Sequence, residues 1–441
     1  LSLKERLERL VAATQERSRS RSRSRSQVHD REGADAPSRL VSSYEIPEAI
    51  PLESAVEGEE VKSDLGPYFQ SVRAYPLDHV HGRIRLGRLI DVPNEAFSLL
   101  SRGDDSTQIA LDKALFIDTE TTGLAGGSGT CAFLIGIAGV EGDSFVVRQL
   151  FMREYREEAA ILGALAERLR SAEAIVSYNG KSYDVPLLES RYILSRQRVS
   201  FENFLHFDLL HPARNLWKAR FESCRLMELE RSLLGLEREG DIPGAFIPDT
   251  YFRYLRLADA SRLRYVFEHN RNDLLSLAAL TVVAAEMLDE DASFDDPIDD
   301  FSLGRVFERA SHLERSMLHY RRALDTGLRG PARRRTLAAL ATQLKRMGET
   351  DEARATWEEL ASESGTEAIQ AQHELAMLEE HHDKCYQSAL ERCEAALDAI
   401  GRSYDWPMRA RERWREAFLH RRDRLLRRLG HKRPVTSELE F

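Results

Sequence analysis

Apolar spacing changes several times along this chain, and each change predicts a different kind of element. Residues 1–40 have no apolar period. RSRSRSRSRS, Arg17 to Ser26, is a low-complexity basic tract that cannot bury a core, so a disordered, solvated tail is expected there. Residues 41–110 are polar and mixed, with PYFQSVRAYPL and HGRIRLGRLI reading as short strands in an extension packed on the next domain. From Lys113, ALFID, CAFLIGIAGV and SFVVRQLF read as three buried strands in succession. EEAAILGALAERLRSA then has helical spacing, AIVSYN is a short apolar strand, and helices continue to Leu288. Strands first and β–α alternation afterwards predict an α/β domain over residues 111–288, a mixed sheet flanked by helices. Residues 289–300, within LDEDASFDDPIDDF, are expected to form an acidic linker.

Residues 301–430 read as all-helical and weakly repetitive. Ser316, Ala353 and Ala389 occupy equivalent places, 37 and 36 residues apart, and Tyr320, Trp357 and Cys393 follow each by four. Leu303-Gly304, Leu340-Ala341 and Ala376-Met377 precede them at matching distances. A small residue where two helices cross, with a larger one a turn later, resembles the tetratricopeptide repeat, whose period is about 34. A generic helical bundle is the alternative.

The length of 441 residues allows about two or three domains, and the 42% of apolar residues can supply their cores. Leu1 in place of Met leads us to expect a fragment. No run of 18 apolar residues and no signal-peptide pattern is present, so neither a membrane nor a secreted protein is expected. Cys131, Cys224, Cys385 and Cys393 form no CxxC pair, which fits reduced thiols in a cytoplasmic protein. The net charge of −10 weighs weakly against nucleic acid as a partner, but its layout is uneven. Between Leu274 and Gly304 there are eight acids and no base, whereas Gly401 to Val435 holds 12 Arg or Lys against 4 acids. Trp414, Phe418, Leu425, Leu426 and Leu429 make an apolar stripe on that basic helix. Its arginines, Arg421, Arg424 and Arg428 among them, either solvate a capping helix or face outward to phosphates.

The candidate chemistry lies in three acidic segments. LFIDTETTGL, Leu115 to Leu124, ends a buried strand on Asp118 and Glu120. Strand alternation sets them on one face, where two carboxylates repel unless a cation sits between them. A hard divalent ion bound by oxygen ligands resolves this; a surface-facing pair is the alternative. VSYNGKSYDVPLL presents Asp184 near a helix start, after a turn at Asn179-Gly180. GKS there is no phosphate loop, because Ile175 stands where the loop needs Gly. GLAGGSGT, Gly123 to Thr130, also lacks that ending and reads as a flexible turn. HNRNDLLSLAAL places His269 and Asp273 one helical turn apart, with Asn270 or Asn272 as a candidate cap. Asp118, Glu120, Asp184 and Asp273 are thus four carboxylates from three segments, the set a two-metal site needs.

DTETTG, YNGKSYD and HNRND together resemble the DEDD superfamily of 3′–5′ exonucleases, which share a ribonuclease-H-like fold. Within it the chain is similar to bacterial YprB-type proteins, which join this domain to C-terminal tetratricopeptide-like helices. HFDLLHPARNLW, LERSLLGLEREGDIPG and YLRLADASRLRYVFEHN extend the likeness, which covers roughly residues 115–288. One departure stands out: the superfamily's histidine branch places His five residues before the last Asp, and this chain places it four before, the spacing of the tyrosine branch. The resemblance implies a metal-dependent 3′–5′ exonuclease, with DNA preferred over RNA, in DNA repair or processing. It implies two Mg²⁺ or Mn²⁺ ions held by Asp118, Glu120, Asp184 and Asp273, with His269 as the base that takes a proton from the attacking water. A protein partner at the repeats, such as a helicase, and a bacterial cytoplasmic location go with that reading. The rivals are a non-catalytic repeat adaptor on a relic fold and a structure-specific endonuclease. Asp208 is expected to orient a neighbouring helix, His206 and His211 to be structural, and Phe246, Tyr251 and Tyr254 to pack or to stack on bases.

Overall fold

Strand alternation becomes one seven-stranded sheet in the computed structural model, which describes residues 49–101, 109–123, 129–402 and 406–430. Its strands are β1 (Glu59–Ser63), β2 (Gly66–Pro76), β3 (Ala114–Thr121), β4 (Ala132–Glu141), β5 (Ser144–Phe151), β6 (Ala174–Ser177) and β7 (Leu205–Asp208). The spatial order is β1-β2-β5-β4-β3-β6-β7. Neighbours are antiparallel as far as β3, and β6 and β7 then run parallel to it. Gly142, at φ +61°, makes the tight turn that joins β4 to β5. Parallel neighbours need a crossover, supplied by α1 (Glu158–Leu169) and α2 (Asp184–Leu194). α3 (Leu210–Trp217), α4 (Ile247–Leu257) and α5 (Leu263–Glu286) complete the domain.

Successive residues of β3 serve two cores. Phe116 packs with Phe145, Val176 and Phe207, and with Leu277 and Ala278 of α5. Leu115 and Ile117 face Ile135, Ile137, Phe151 and the α1 residue Ile161. A sheet covered on both faces needs apolar residues at every position, which is why CAFLIGIAGV reads as an unbroken run.

Two expected boundaries give way. Residues 41–110 do not simply pack against the domain: β1 and β2 belong to its sheet, with Phe69 to Pro76 in continuous register against Phe151 to Ser144. Only Tyr68, Phe69 and Ser71 of β2 are buried, so its pattern hides a central pairing behind polar residues. The acidic stretch expected as a linker over 289–300 is irregular chain only as far as Asp296, and its last four residues start α6 (Pro297–Arg309). Asp296 accepts the Ile298 N–H at 3.0 Å as its cap. Asp299 is buried against Arg220, and Asp300 is buried and receives His319 Nδ1 at 2.7 Å. Leu303, Val306 and Phe307 of α6 then join the core of the sheet domain.

From α6 the helices pair: α7 (Leu313–Asp325), α8 (Gly330–Met347) with α9 (Thr350–Ala361), α10 (Thr366–His381) with α11 (Tyr386–Arg402), and α12 (Met408–Arg428) last. Ser316, Ala353 and Ala389 are buried, as are Tyr320, Trp357 and Cys393. Gly304 cannot carry a Cβ, which would strike the Tyr320 ring. That close approach brings α6 and α7 near enough for Ser316 Oγ to donate to Gly304 O at 2.9 Å.

The basic helix α12 differs from expectation. Arg421 is buried and donates to Glu380 Oε2 at 2.7 Å, and Arg424 grips the same carboxylate at 2.6–2.7 Å. Arg428 lies over the Tyr386 ring. Arg421 and Arg424 are therefore spent on a buried carboxylate of α10 and do not face phosphates. The Arg17–Ser26 tract and most of the Gly123–Thr130 turn lie outside the described residues.

Candidate active site

Asp118 and Glu120 stand at the C-terminal end of β3, next to a slip in register between Glu120 and Thr121. Such irregularities re-aim side chains at sheet ends. Asp118 pairs across the ladder with Gly136 of β4. A Cβ at Gly136 would collide with the Asn270 carboxamide, so glycine there lets α5 seat directly on the sheet. Asn270 Nδ2 then donates to Asp118 Oδ2 at 2.7 Å. Gln149 of β5 fixes that carboxamide by donating to Asn270 Oδ1 at 2.9 Å and to Phe267 O at 2.7 Å. Neither Asn270 nor Asn272, the two candidate caps, starts the helix: both lie inside α5, which begins at Leu263, and Asn270 is fully buried.

Asp184 arrives by another route. After β6 the chain turns through Asn179, at φ +68°, and Gly180, so that Asp184 is the first residue of α2. The Thr119 hydroxyl donates to its Oδ1. Asp208 holds this turn from below, accepting the N–H groups of Asn179 at 2.7 Å, Lys181 at 3.1 Å and Leu210 at 3.1 Å. It also starts α3, in keeping with the orienting role expected for it. His206 Nε2 meets Ser177 Oγ at 2.7 Å, while His211 is exposed.

His269 and Asp273 share a face of α5, with Nε2 and Oδ2 3.6 Å apart. Two residues that the sequence pattern did not single out organise them. Asp241 Oδ1 lies 2.9 Å from His269 Nδ1. Arg238 donates to Asp273 Oδ1 at 2.5 Å, to Asp241 at 3.1 Å and to buried Glu230. Both come from LEREGDIPG. Its Gly-Asp and Pro-Gly steps mark a turn, and a turn holding an arginine and an acid three apart was the available signal. Tyr251 is core, with its hydroxyl on Met152 O at 3.0 Å, and Tyr254 packs beside Phe151. Phe246 is 59% exposed.

The electrostatics single out this cluster. Burial, with Asp273, Glu120 and Asp184 close by, holds the Asp118 carboxyl well above its usual range. Burial pushes Glu120 up to about 8, only partly offset by His269. Burial also raises Asp184 to about 6, against the help of the Thr119 hydroxyl. For His269 burial opposes the charged ring, but the Asp241 hydrogen bond and the negative charge of Asp273 and Glu120 prevail and raise it to about 9. These acids therefore feel one another across three chain segments. Among the described residues no group of three or more carboxylate, imidazole or thiol side chains is gathered closely enough to hold an ion. Each of three acids has a partner within the protein: Asp118 accepts from Asn270, Asp184 from Thr119 and Asp273 from Arg238.

Residues 115–285 match the family model of the RNase_H superfamily, and residues 297–401 match that of the tetratrico peptide repeat. The chain joins a ribonuclease-H-like domain to tetratricopeptide repeats. The uncharacterized protein YprB of Bacillus subtilis (strain 168) is 29% identical over 332 residues, 73% of this chain and 78% of that protein. The family B DNA polymerase from the hyperthermophilic archaeon Pyrobaculum calidifontis aligns with 17% identity over 48% of this chain and 29% of the polymerase, at a TM-score of 0.30. Likeness that slight says nothing further about this chain. No helix among the described residues is long and apolar enough to cross a membrane.

Proposed function

We propose that this protein is a metal-dependent nuclease of the DEDD type that trims nucleic acid from a 3′ end, with DNA preferred. The observation that carries the reading is the convergence of Asp118 and Glu120 at a strand end, Asp184 at a helix start and Asp273 one turn from His269, with burial and the neighbouring acids raising the Asp118 carboxyl. Perturbed, mutually coupled carboxyls in one place are a signature of functional sites. Their chemistry suits hard cations: four carboxylates offer only oxygen donors, the ligands that Mg²⁺ and Mn²⁺ prefer. Asp118, Glu120, Asp184 and Asp273 would hold two such ions, which would stabilise charge building on the scissile phosphate and the leaving oxygen.

The remaining work falls to side chains. Asn270 keeps Asp118 in one orientation, and Thr119 does so for Asp184. Asp241 fixes the His269 ring through Nδ1, leaving Nε2 on the side of Asp273. With Asp241 and Asp273 charged beside it the ring stays protonated near neutral pH. Once that negative charge is compensated its proton affinity falls, and Nε2 can accept a proton from water. Arg238 offers Asp273 a cation of the protein's own.

The deciding experiment is cleavage of 3′- and 5′-labelled single- and double-stranded DNA and RNA with Mg²⁺, Mn²⁺ or EDTA. Stepwise loss from the 3′ end that EDTA abolishes is the expected result. Internal cuts would assign an endonuclease instead. No cleavage, with no rise in melting temperature on adding Mn²⁺, would leave the repeats as the working part and the protein as an adaptor.

A further inference from the structure

One groove beside the acidic cluster has an opposite character. It is lined by Ile242, Pro243, Phe246, Arg253, Arg256 and Arg262 and encloses about 680 Å³, within the roughly 300–1,000 Å³ of ligand clefts. Its one acid is Asp249, against three arginines. Two connections place it against the acids. Ile242 directly follows Asp241, the partner of His269, and α4, which forms its wall, packs on β3, the strand of Asp118 and Glu120. Arg262 immediately precedes α5, about 10 Å along the helix axis from His269.

The side chains are available. Phe246 and Leu257 are 59% and 57% exposed, uncommon for large apolar residues with a core so near. Tyr251 and Tyr254 on α4 are drawn into aromatic contacts, whereas Phe246, just before α4, makes none among the described residues. Arg253 is occupied by Asp259 at 3.1 Å, but Arg256 and Arg262 have no ion-pair partner among the described residues. An exposed aromatic ring flanked by unpaired guanidinium groups is what a strand of stacked bases and phosphates requires. A polyanion approaching four carboxylates needs such compensation close by.

We infer that a single nucleic-acid strand lies in this groove, with a base stacked on Phe246 and phosphates on Arg256 and Arg262. This rests on the nuclease reading and adds the path by which the strand reaches the acids. The test uses the full chain carrying Asp184→Asn, so that the probe survives, with labelled oligothymidine, oligouridine and a DNA duplex, each long enough to span site and groove. Phe246→Ala should weaken binding about five- to hundred-fold, the usual worth of one stacked base, while Phe246→Trp should bind nearly as the parent does. Arg256→Gln with Arg262→Gln should flatten the log–log salt slope by about 1.4, near 0.7 for each phosphate no longer neutralised. In the cleaving chain the same changes should raise KM and leave kcat almost unmoved. Comparable loss in both single-stranded probes would mean that the groove serves either sugar, and loss in one would name its strand. Unchanged binding, salt slope and KM in folded variants of an active nuclease would overturn the groove and spare the nuclease reading. Loss of duplex binding alone would overturn the single-strand path. A parent chain that neither binds nor cleaves any strand would remove the nuclease reading, and the groove with it.

Discussion

Carboxylates are drawn away from water in two regions of this molecule, half-buried in the sheet domain and fully buried in the repeats, and they are treated in opposite ways. Glu380 in the repeats is fully buried, yet Arg421 and Arg424 both bind it. Burial alone would raise its carboxyl, but the Arg424 hydrogen bond and charge, with Arg421 alongside, hold it below the ordinary value. Asp118 and Glu120 are driven up, by burial first and by the other acids beside them, with only His269 opposing. A protein that can bring two arginines to one glutamate has the means to neutralise charge wherever the fold requires it. Among the crowded carboxylates Arg238 reaches Asp273 alone, and Asp118 and Glu120 keep the places that the proposed ions would fill.

The largest effect should follow from removing one of the crowded acids. Asp118→Asn or Asp184→Asn should reduce cleavage by about 10³-fold or more, since bound ions contribute several kcal/mol of charge stabilisation. The same substitutions should raise the melting temperature in EDTA, because they relieve repulsion. Asp208→Asn should do the reverse, lowering melting temperature while sparing rate, because its oxygens hold three backbone N–H groups. Two melting curves and a cleavage assay for each variant check the contrast. Lower stability in the Asp118→Asn chain would erase the proposed difference between the two regions.

His269→Ala should lower the rate by about 10²–10⁴-fold, the range for a positioned proton acceptor. Raising the pH should recover part of that loss, because hydroxide replaces the missing base. Asp241→Asn should fall between the parent and His269→Ala, as the ring keeps its place but loses its orienting carboxylate. An unchanged pH–rate profile in the alanine variant would reassign the ring to packing.

In the repeats, Arg421→Gln should cost about 3 kcal/mol, the low end for breaking a buried pair, since Arg424 stays on Glu380. Replacing Glu380, Arg421 and Arg424 together by Leu should recover most of that loss. Denaturant titration distinguishes the two. If the single variant were neutral, the cluster would be surface decoration after all.

The smallest effect concerns pH. Burial lowers His206 and His81 to about 4 from 6.5, so their neutral forms stabilise the fold fully above pH 6.5 and that contribution is lost as pH falls towards 4. His269 works the other way: raised to about 9, its contribution is complete below 6.5 and disappears as pH rises through 9. Melting temperature should therefore fall on both sides of neutrality without metal. His206→Asn should flatten the acid side and His269→Ala the alkaline side. A one-sided profile would show that one of these environments is misassigned.

Features that depend on local pattern could be read directly from the order of residues. The runs ALFID and CAFLIGIAGV could only be strands of a sheet covered on both faces, and Ser316, Ala353 and Ala389 marked the helix crossings of the repeats. The acids were legible too, because a carboxylate at the end of a buried strand is conspicuous wherever it later points. Tertiary structure alone decided who neutralises whom. Nothing in HNRND shows that Asn270 lies against Gly136 and turns to Asp118, because that hydrogen bond spans 152 residues and depends on a missing side chain in another strand. Nor could the arginines of the last helix be sorted into those that grip Glu380 and those that face water. Charge is visible in a sequence, but its partner is set by distances between elements that the chain brings together only when it folds.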